Sequence, residues 1–556
     1  IIGATAWNPI FGGNLVLAND LTIASNNASG STLTFNGGVT GTGNITVSIG
    51  NTSNASLVTF GAAEVNNAGT LTYNNAAVTI GSTAGVAGSG TGTNLITGGV
   101  GSNVTAITQA SNSNALTIQT NALTVNSGGT TLNATGTAKL TVSGGVAGTG
   151  NLILNTNHNS ASNGITLSGA AVNNLGTITN SGTGTAGTVI SSTIDYNVSG
   201  VIQNSATSSL TLSGVNYYTG ATTVTSGSMI INGTVASSSV VVDGSLSGTG
   251  TMTNATLSGS GAIHPGNGAG IMTAALIDPT DGLDFNFEFT AANTLPTWSA
   301  PTASVNDVLR LTDLFNPIVV PMNGTNLISL YLNVASLTVG NMFTGGFYTD
   351  KNASFQTAIA GANYQYYLAN ANGAITYNGN KYDLYTGLLA FTVSTVQQTA
   401  NFSNPSSTGY VTRFTVINGP YLQWAGGGGA FSSDDNGDGV ANGLAWLLGA
   451  SGPNVNARSK LPTLTTSSGD IHLNFSVLNS SSRGYATIKV QYSKDMGVTD
   501  SWTSHEAAVP DVTSTVNGVS FIVIPNGNSN NVEAVIPASA AGTGKKLFTR
   551  LVSNMP

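Results

Sequence analysis

From residue 1 to residue 276 the chain carries a single Lys or Arg residue, Lys139. Its carboxylates over the same stretch are Asp20, Glu64, Asp195 and Asp243. Most of the other residues are Gly, Ser, Thr, Asn, Ala, Val, Ile and Leu, which suit tight turns and β-strands. The stretch lacks most side chains that catalysis and nucleic-acid binding use, so it favours a structural or adhesive protein.

The composition of the whole chain indicates an ordered β-protein. With 556 residues the chain is long enough for several domains. Only 6% of the residues are charged, against roughly 25% in typical globular proteins. Disordered chains usually combine low hydrophobicity with high net charge. Here 40% of the residues are hydrophobic, and Val, Ile and Leu recur at strand spacing.

The net charge and the residue types that are missing exclude several classes of protein. A net charge of -8 and a pI near 4.7 argue against nucleic-acid binding, which needs clustered Lys and Arg. The absence of cysteine excludes disulfides and thiolate metal sites. No apolar run approaches the roughly 20 residues that span a bilayer. The chain starts at Ile1 rather than Met, which fits a secreted, extracellular or cell-surface protein whose signal peptide has been removed.

A glycine-rich element recurs in the first half of the chain. Its six positions are, in order, Gly, an aliphatic residue, any residue, Gly, either Ser or Thr, and Gly. The element occurs at Gly38–Gly43, Gly85–Gly90 and Gly145–Gly150, and it occurs with one inserted residue at Gly244–Gly250. Short alternating segments such as Leu140–Val142 flank it. Irregular coils of roughly 20 residues suit a right-handed parallel β-solenoid, in which each coil buries its face against the next. An antiparallel sandwich array of the same composition is the alternative.

The character of the sequence then changes three times, which predicts four regions. We expect a β-solenoid over residues 1–276 and a β-rich middle domain over 277–420. The change at 277 is marked by closely spaced acidic residues and by longer strands such as Ile328–Val334. Residues 421–454 are predicted to form a joint with the flexible segment Gly426–Gly429, an Asp-rich loop and a short helix near 441–448. Alternation in Ile488–Tyr492 predicts a C-terminal β-sandwich over 455–556.

Several segments resemble a known repeat. Tyr217–Val224, Ile231–Gly233 and His264–Thr273 resemble the autotransporter-associated β-strand repeat, although His264 and Ala269 stand where the repeat has Ala and Pro. Later segments are similar to the remainder of such proteins from Verrucomicrobia-like bacteria. The resemblance implies a secreted β-solenoid protein at the bacterial cell surface, with no defined enzymatic activity.

One loop has the spacing of a calcium site. Asp434, Asn436, Asp438 and Asn442 supply side-chain oxygens at positions 1, 3, 5 and 9, and Val440 offers a carbonyl at position 7. Glycine occupies position 6, but alanine occupies position 12, where the pattern has a bidentate Glu. A polar loop that caps the following helix is the alternative. If calcium binds, it would stiffen the joint.

The sequence does not predict an enzyme. Parallel β-helix lyases need a basic residue and clustered acidic residues, and glycosidases need two carboxylates that face each other. The first 276 residues have only Lys139 and four scattered carboxylates. The four histidines are His158, His264, His472 and His505. They stand singly and far apart in the sequence, so a metal site built from several histidines is not expected.

The function predicted from the sequence is that of a secreted structural protein that self-associates into an extracellular filament or surface layer. Open solenoid ends expose unpaired backbone groups and invite β-augmentation. Residues 1–23 are the first candidate for an exchanged strand, and Ile328–Val334 is the second. The alternative is a monomeric adhesin or glycan-binding protein, with the solenoid as a stalk and the C-terminal sandwich as the head that binds surface glycans. Tyr485, Tyr492 and Trp502 are the candidates for stacking on sugars there, and core packing is the alternative use for each.

Overall fold

The computed structural model of the chain describes residues 2–4, 8–25, 32–49, 57–74, 76, 92–298, 300–313, 328–334, 338–350, 364–368, 373–374, 376–378, 381–383, 389–399, 408–484 and 486–555. Three features named above lie outside these residues, namely Ile1, the repeat copy at Gly85–Gly90, and Tyr485.

The predicted parallel β-solenoid is confirmed, with about 11 turns in the N-terminal part of the chain. Because neighbouring strands lie ~4.8 Å apart, these turns form a rod about 50 Å long. Alternating apolar residues make the strands, since one face of each strand points into the rod and the other faces outward. Leu140–Val142, for example, buries Leu140 and Val142 and leaves Thr141 half-buried.

The first sheet of the solenoid begins in the first coil and continues beyond residue 276. Its successive parallel strands are Ile2–Ala4, Leu21–Ser25, Ile45–Ile49, Gly69–Asn74, Val104–Gln109, Thr130–Ala134, Leu152–Thr156, Gly176–Asn180, Val198–Asn204, Thr222–Ser226, Ser239–Val242, Thr251–Ser258, Ile271–Ile277, Val308–Leu311 and Met342–Asp350, with the short strands Val215–Asn216 and Thr234–Val235 alongside.

The second sheet packs against the first across the interior. Its strands are Ile10–Phe11, Thr32–Phe35, Leu57–Phe60, Gly92–Ile96, Asn114–Ile118, Leu140–Val142, Ile165–Leu167, Thr188–Ile190, Leu210–Leu212, Ser228–Ile231, Ser245–Gly248, Ala262–Pro265, Asp284–Phe289, Ile328–Val334 and Tyr364–Leu368, followed by the antiparallel Gly373–Ala374.

A third, narrower face closes each early coil. Leu15–Leu17 pairs with Val39–Gly41, and Leu123–Val125 pairs with Val146–Gly148. Single bridges continue this row from Val39 to Leu123 and from Val146 to Ile194. The copies of the glycine element at Gly38–Gly43 and Gly145–Gly150 lie on this face, whereas the copy at Gly244–Gly250 supplies the strand Ser245–Gly248 of the second sheet. Gly148 has φ 102°, and a Cβ there would collide with the backbone carbonyl of Val125 in the preceding coil.

Inward-facing residues stack in register from coil to coil. In the second sheet one row begins at Phe11, Phe35 and Phe60, whose rings stack 5.1 Å and 5.3 Å apart, and continues with aliphatic residues. In the first sheet one row changes from apolar to polar and back, as Leu154 aligns with Asn180, Asn180 with Gln203, and Gln203 with Val224.

Amide side chains connect successive coils on the outside. The Oδ1 atom of Asn151 accepts the backbone N–H of Thr177, 2.9 Å away, and Asn44 accepts that of Thr70 at the same distance. Asp20 occupies the equivalent position one coil earlier and accepts the N–H of Asn44 at 2.8 Å. The abundant asparagines, and some of the rare early carboxylates, therefore supply acceptors between coils.

Both parallel ladders continue past residue 276. Ile271–Ile277 pairs in parallel with Val308–Leu311, and that strand pairs with Met342–Asp350. Met342–Asp350 then pairs antiparallel with Thr408–Asn418, which pairs along its length with Leu389–Thr399. Lys381–Asp383 and Thr376–Asn378 extend these antiparallel strands. The predicted division into 1–276, 277–420, 421–454 and 455–556 stays a prediction.

The C-terminal region contains two antiparallel sheets. The five-stranded sheet contains, in order, Thr463–Ser467, Asp470–Leu478, Ser529–Ile536, Val519–Asn526 and Ser514–Val516, and the three-stranded sheet contains Glu506–Ala508, Thr487–Ser493 and Phe548–Asn554. Short α-helices span Pro420–Trp424, Asn442–Leu447 and Ser480–Arg483, and 3-10 helices span Pro301–Ala303, Arg458–Lys460, Trp502–Ser504 and Ala538–Gly544. Tyr421 and Trp446 pack in the same buried cluster as Phe475, Ile488 and Phe521.

Candidate functional site

The Asp-rich loop folds around its own backbone amides. Asp434 accepts the N–H of Gly439 at 2.7 Å and that of Asp438 at 3.2 Å. The Asp438 N–H also meets Asn436 Oδ1 at 2.9 Å, so oxygens of positions 1 and 3 converge on one point. Gly437 and Gly439 have φ 68° and 83°, which L side chains rarely adopt, and this makes the tight loop feasible.

The remaining members of the predicted calcium set are engaged elsewhere. Asp438 accepts the N–H of Val440 at 2.8 Å and the N–H of Ala457, and these backbone contacts lower the pKa of its carboxyl. Asn442 is buried and donates to Ser433 Oγ at 2.9 Å. The Arg458 side chain donates to the backbone carbonyl of Asp438.

The sequence left two interpretations of this loop, a cap for the following helix and a calcium site. The helix Asn442–Leu447 begins after Ala441 and receives no side-chain cap, so the capping interpretation is wrong. In the part of the chain that the structure describes, no group of three or more His, Cys, Asp or Glu side chains is placed to hold a metal ion. Calcium binding by Asp434, Asn436, Asp438, Val440 and Asn442 stays a prediction.

The first coil of the solenoid presents an apolar edge. Ile10–Phe11 pairs with Thr32–Phe35 on one side. Ile10 is 67% exposed and Phe11 is 41% exposed, although Phe11 stacks on Phe35. Ile2–Ala4 pairs with Leu21–Ser25 of the same chain, so the segment predicted to exchange lies in its own first coil.

The aromatic residues predicted to bind glycans in the C-terminal sandwich make contacts within the chain. Tyr492 stacks on His505 with ring centroids 4.9 Å apart. Arg550 lies 4.3 Å above the ring of Trp502, whose Nε1 donates to the carbonyl of Met496 at 3.0 Å. One face of each ring is therefore occupied by a neighbour within the chain.

A cleft of about 450 Å³ lies on the outer face of the second sheet near its later coils. Ser245–Gly248, Ala262–Pro265 and Asp284–Phe289 are neighbouring parallel strands there. Their inward residues Leu246 and Ile263 are fully buried. The outward residues line the cleft, at Ser245, Ser247, His264, Asn286 and Glu288.

Asp307 joins the cleft from a distant part of the chain. Its carboxylate accepts the backbone N–H of Gly270 at 2.7 Å and that of Glu288 at 2.6 Å, and the residue is only 3% exposed. Burial raises the pKa of Asp307 to about 8, the nearby charge of Glu288 acts in the same direction, and the two amide contacts oppose it. His264 Nε2 lies 3.4 Å from Asn286 Nδ2, and burial lowers the pKa of His264.

Sequence reasoning missed this cleft. It noted His264 as a departure from the repeat and the closely spaced acidic residues that follow residue 277, without connecting them. The usable signal was that acids accumulate directly after residue 276, at Asp278, Asp281 and Asp284 as well as Glu288, after a long stretch with almost none.

No family model matches the chain, and no curated protein matches it. Within the described residues, none of the helices has the length and apolar character needed to cross a membrane. The fold and the geometry of the chain itself therefore carry the functional argument.

Proposed function

We propose that the protein is a secreted structural protein, a subunit of an extracellular filament or surface layer that assembles through β-structure contacts. A β-solenoid is consistent with a structural or adhesin-like protein. The observation that carries the finer proposal is the apolar edge of the first coil at Ile10 and Phe11. An exposed strand edge is a template for pairing with another chain.

The two ends of the rod differ, and this difference favours a directional assembly. The first coil has an apolar strand edge, whereas antiparallel strands from Leu389–Thr399 and Thr408–Asn418 follow the last parallel strand of the first sheet. A contact between the first coil and a different surface of the next subunit is heterologous, and a heterologous contact that does not close into a ring propagates as a fibre.

Negative-stain microscopy of the purified chain at high concentration tests the proposal. We expect filaments or sheets from the wild type and from Val498→Asp, which changes an exposed apolar residue of the C-terminal sandwich. We expect Phe11→Asp to remain monomeric, because a carboxylate at the edge disfavours strand pairing. Discrete wild-type monomers at high concentration would overturn the proposal.

The adhesin alternative receives less support, because Tyr492 and Trp502 are engaged within the chain. Failure of residues 1–556 to bind any member of a glycan array would remove it altogether.

We also propose that the Asp-rich loop binds calcium and thereby stiffens the joint between the solenoid and the sandwich. The convergence of Asp434 Oδ1 and Asn436 Oδ1 on one amide supports it. Calcium should raise the melting temperature of the wild type and of Asp470→Asn, whose carboxylate lies outside the loop, but not that of Asp434→Asn. Equal melting with calcium and with a chelator would contradict it.

A further inference from the structure

The cleft beside Asp307 concentrates polar side chains on a rod that has few charged ones. Its lining offers two hydroxyls, an imidazole, two amides and two carboxylates, and among the described lining residues there is no Lys or Arg. Its volume lies in the range of ~300–1,000 Å³ that is typical of small-ligand sites. The cleft is therefore built for a ligand with many hydrogen-bonding groups.

The outward side chains of three coils form one continuous row. Ser247 pairs in register with His264, and Ile263 with Phe285, which places Asn286 next along the same row. Coils ~4.8 Å apart present these groups at a regular spacing. A chain-like ligand laid along the rod would meet one polar group from each coil.

The walls of the cleft are held by backbone contacts. Gly248 and Gly266 exchange backbone hydrogen bonds of 2.7 Å and 2.8 Å, which fix the turn that follows His264. On the opposite side, Asp307 accepts the N–H of Glu288 and so holds the strand that carries the Glu288 side chain. Glu288 is half-buried and lines the cleft, whereas Asp307 is buried beneath it.

We propose that this cleft binds an oligosaccharide of amino sugars, with Glu288 accepting the ammonium group and with Ser247, His264 and Asn286 meeting ring hydroxyls. Asp307 acts as a positioning residue through the backbone of Glu288. The Glu288 carboxylate and the lack of Lys or Arg among the described lining residues reject acidic saccharides such as polyuronates, since like charges repel across an interface. This site is independent of whether the protein polymerises.

Calorimetric titration of the full chain tests the proposal with three probes. These are a short oligomer of glucosamine, the matching oligomer of glucose, and the matching oligomer of galacturonate. The glucosamine oligomer should bind about tenfold or more tightly than the glucose oligomer, because one charge-assisted hydrogen bond has about that value. The galacturonate oligomer should not bind.

Two variants and one matched control locate the site. Glu288→Gln should reduce the affinity for the glucosamine oligomer to that for the glucose oligomer, and Ser247→Trp should abolish binding by filling the cleft. Thr211 lies in the same outward row two coils earlier, because it pairs in register with Ile230, which pairs with Ser247. The control variant Thr211→Ala should therefore bind the glucosamine oligomer as the wild type does.

The proposal is overturned if the wild type fails to bind the glucosamine oligomer, or if galacturonate binds better. It is also overturned if Ser247→Trp and Glu288→Gln both bind like the wild type. Melting curves identify a variant that fails to fold, and Glu288→Gln keeps the test decisive if Ser247→Trp does.

Discussion

Before residue 276 the interior of the solenoid is filled mainly by Val, Ile and Leu, with a buried polar layer at Asn180 and Gln203. After it phenylalanines supply most of the large buried side chains, beside Leu283, Leu309 and Leu311. Phe285 and Phe287 meet Phe347 with ring centroids 5.2 Å and 5.3 Å apart, and both pairs are nearly perpendicular. The same parallel ladders therefore enclose two different cores, and the ladder alone does not dictate what fills it.

The outer surfaces of the two regions differ in the same way. Early coils are joined outside mainly by neutral amides such as Asn151, with Asp20 as an exception, whereas a later coil carries the Glu288 carboxylate on its outer face. Like charges that stack in successive coils repel, so a long run of coils favours neutral links. Carboxylates become closely spaced only after residue 276, near the cleft, at Asp278, Asp281, Asp284 and Glu288.

The largest expected effect is the loss of stability when a large side chain is removed from the later, phenylalanine-rich core. Phe347→Ala should lower the free energy of unfolding by about 3–5 kcal/mol, because it leaves a cavity between Phe285 and Phe287. Val201→Ala, at a buried early position, should cost about 2 kcal/mol, in line with the smaller area lost. Denaturant unfolding of both variants checks this, and equal losses would show that the two cores are not distinct.

The second prediction concerns the buried polar layer. Asn180 donates to Gln203 Oε1 at 2.7 Å and to the carbonyl of Ser208 at 2.9 Å, and it accepts from Thr188 at 2.9 Å. Asn180→Ala should cost about 2–3 kcal/mol because it leaves buried partners unsatisfied. Asn151→Ala removes one exposed acceptor and should cost about 1 kcal/mol. Similar costs in denaturant unfolding would mean that the inner layer is no more important than the outer links.

The third prediction separates close coil contact from backbone strain. Gly148 and Gly282 have φ 102° and 98°, but only at Gly148 would a Cβ collide with the preceding coil. Gly148→Ala should cost about 2–3 kcal/mol and Gly282→Ala about 1 kcal/mol. If thermal melting shows equal shifts, positive φ rather than coil spacing explains the early glycines.

The last comparison concerns the sign of the pH dependence of stability in the two regions. Burial lowers the pKa of His158 in the early coils, where no partner of its Nε2 is found among the described residues. The unfolded chain therefore takes up this proton first, and stability falls as the pH drops below 6.5.

Asp307 behaves in the opposite way, because its pKa is raised from 3.8 to about 8. Its contribution to the free energy of unfolding is fully present below pH 3.8 and is lost as the pH rises towards 8. The free energy of unfolding is measured with denaturant across this pH range. His158→Gln should reduce the loss of stability below pH 6.5, and Asp307→Asn should reduce the loss of stability as the pH rises from 3.8 towards 8. An unchanged profile in either variant would remove the corresponding assignment.

The early fold follows from the sequence more directly than the cleft does. The glycine copy at Gly145–Gly150 and the flanking alternation indicate corners and strands, and the structure has strands at Leu140–Val142, Val146–Gly148 and Leu152–Thr156. Local patterns specify such elements because small residues permit the corner and alternation defines the buried face.

The buried layer and the cleft depend on contacts that local patterns do not contain. Alternation from Ile178 and Val201 places Asn180 and Gln203 on the inward face, but only the coil register aligns the two amides with each other, between Leu154 and Val224. Asp307 meets Gly270 across 37 positions of sequence. Neither pairing leaves a periodic signal in the chain, so both required the structure.

The links between coils also give the rod a mechanical character. Backbone hydrogen bonds between parallel strands lie across the strands and thus along the axis of the rod. A pull along that axis loads the bonds of every face of a coil at the same time, whereas peeling loads them one after another. The rod is therefore expected to resist tension well along its length and to yield first by peeling at Ile10–Phe11, where a coil is supported from one side.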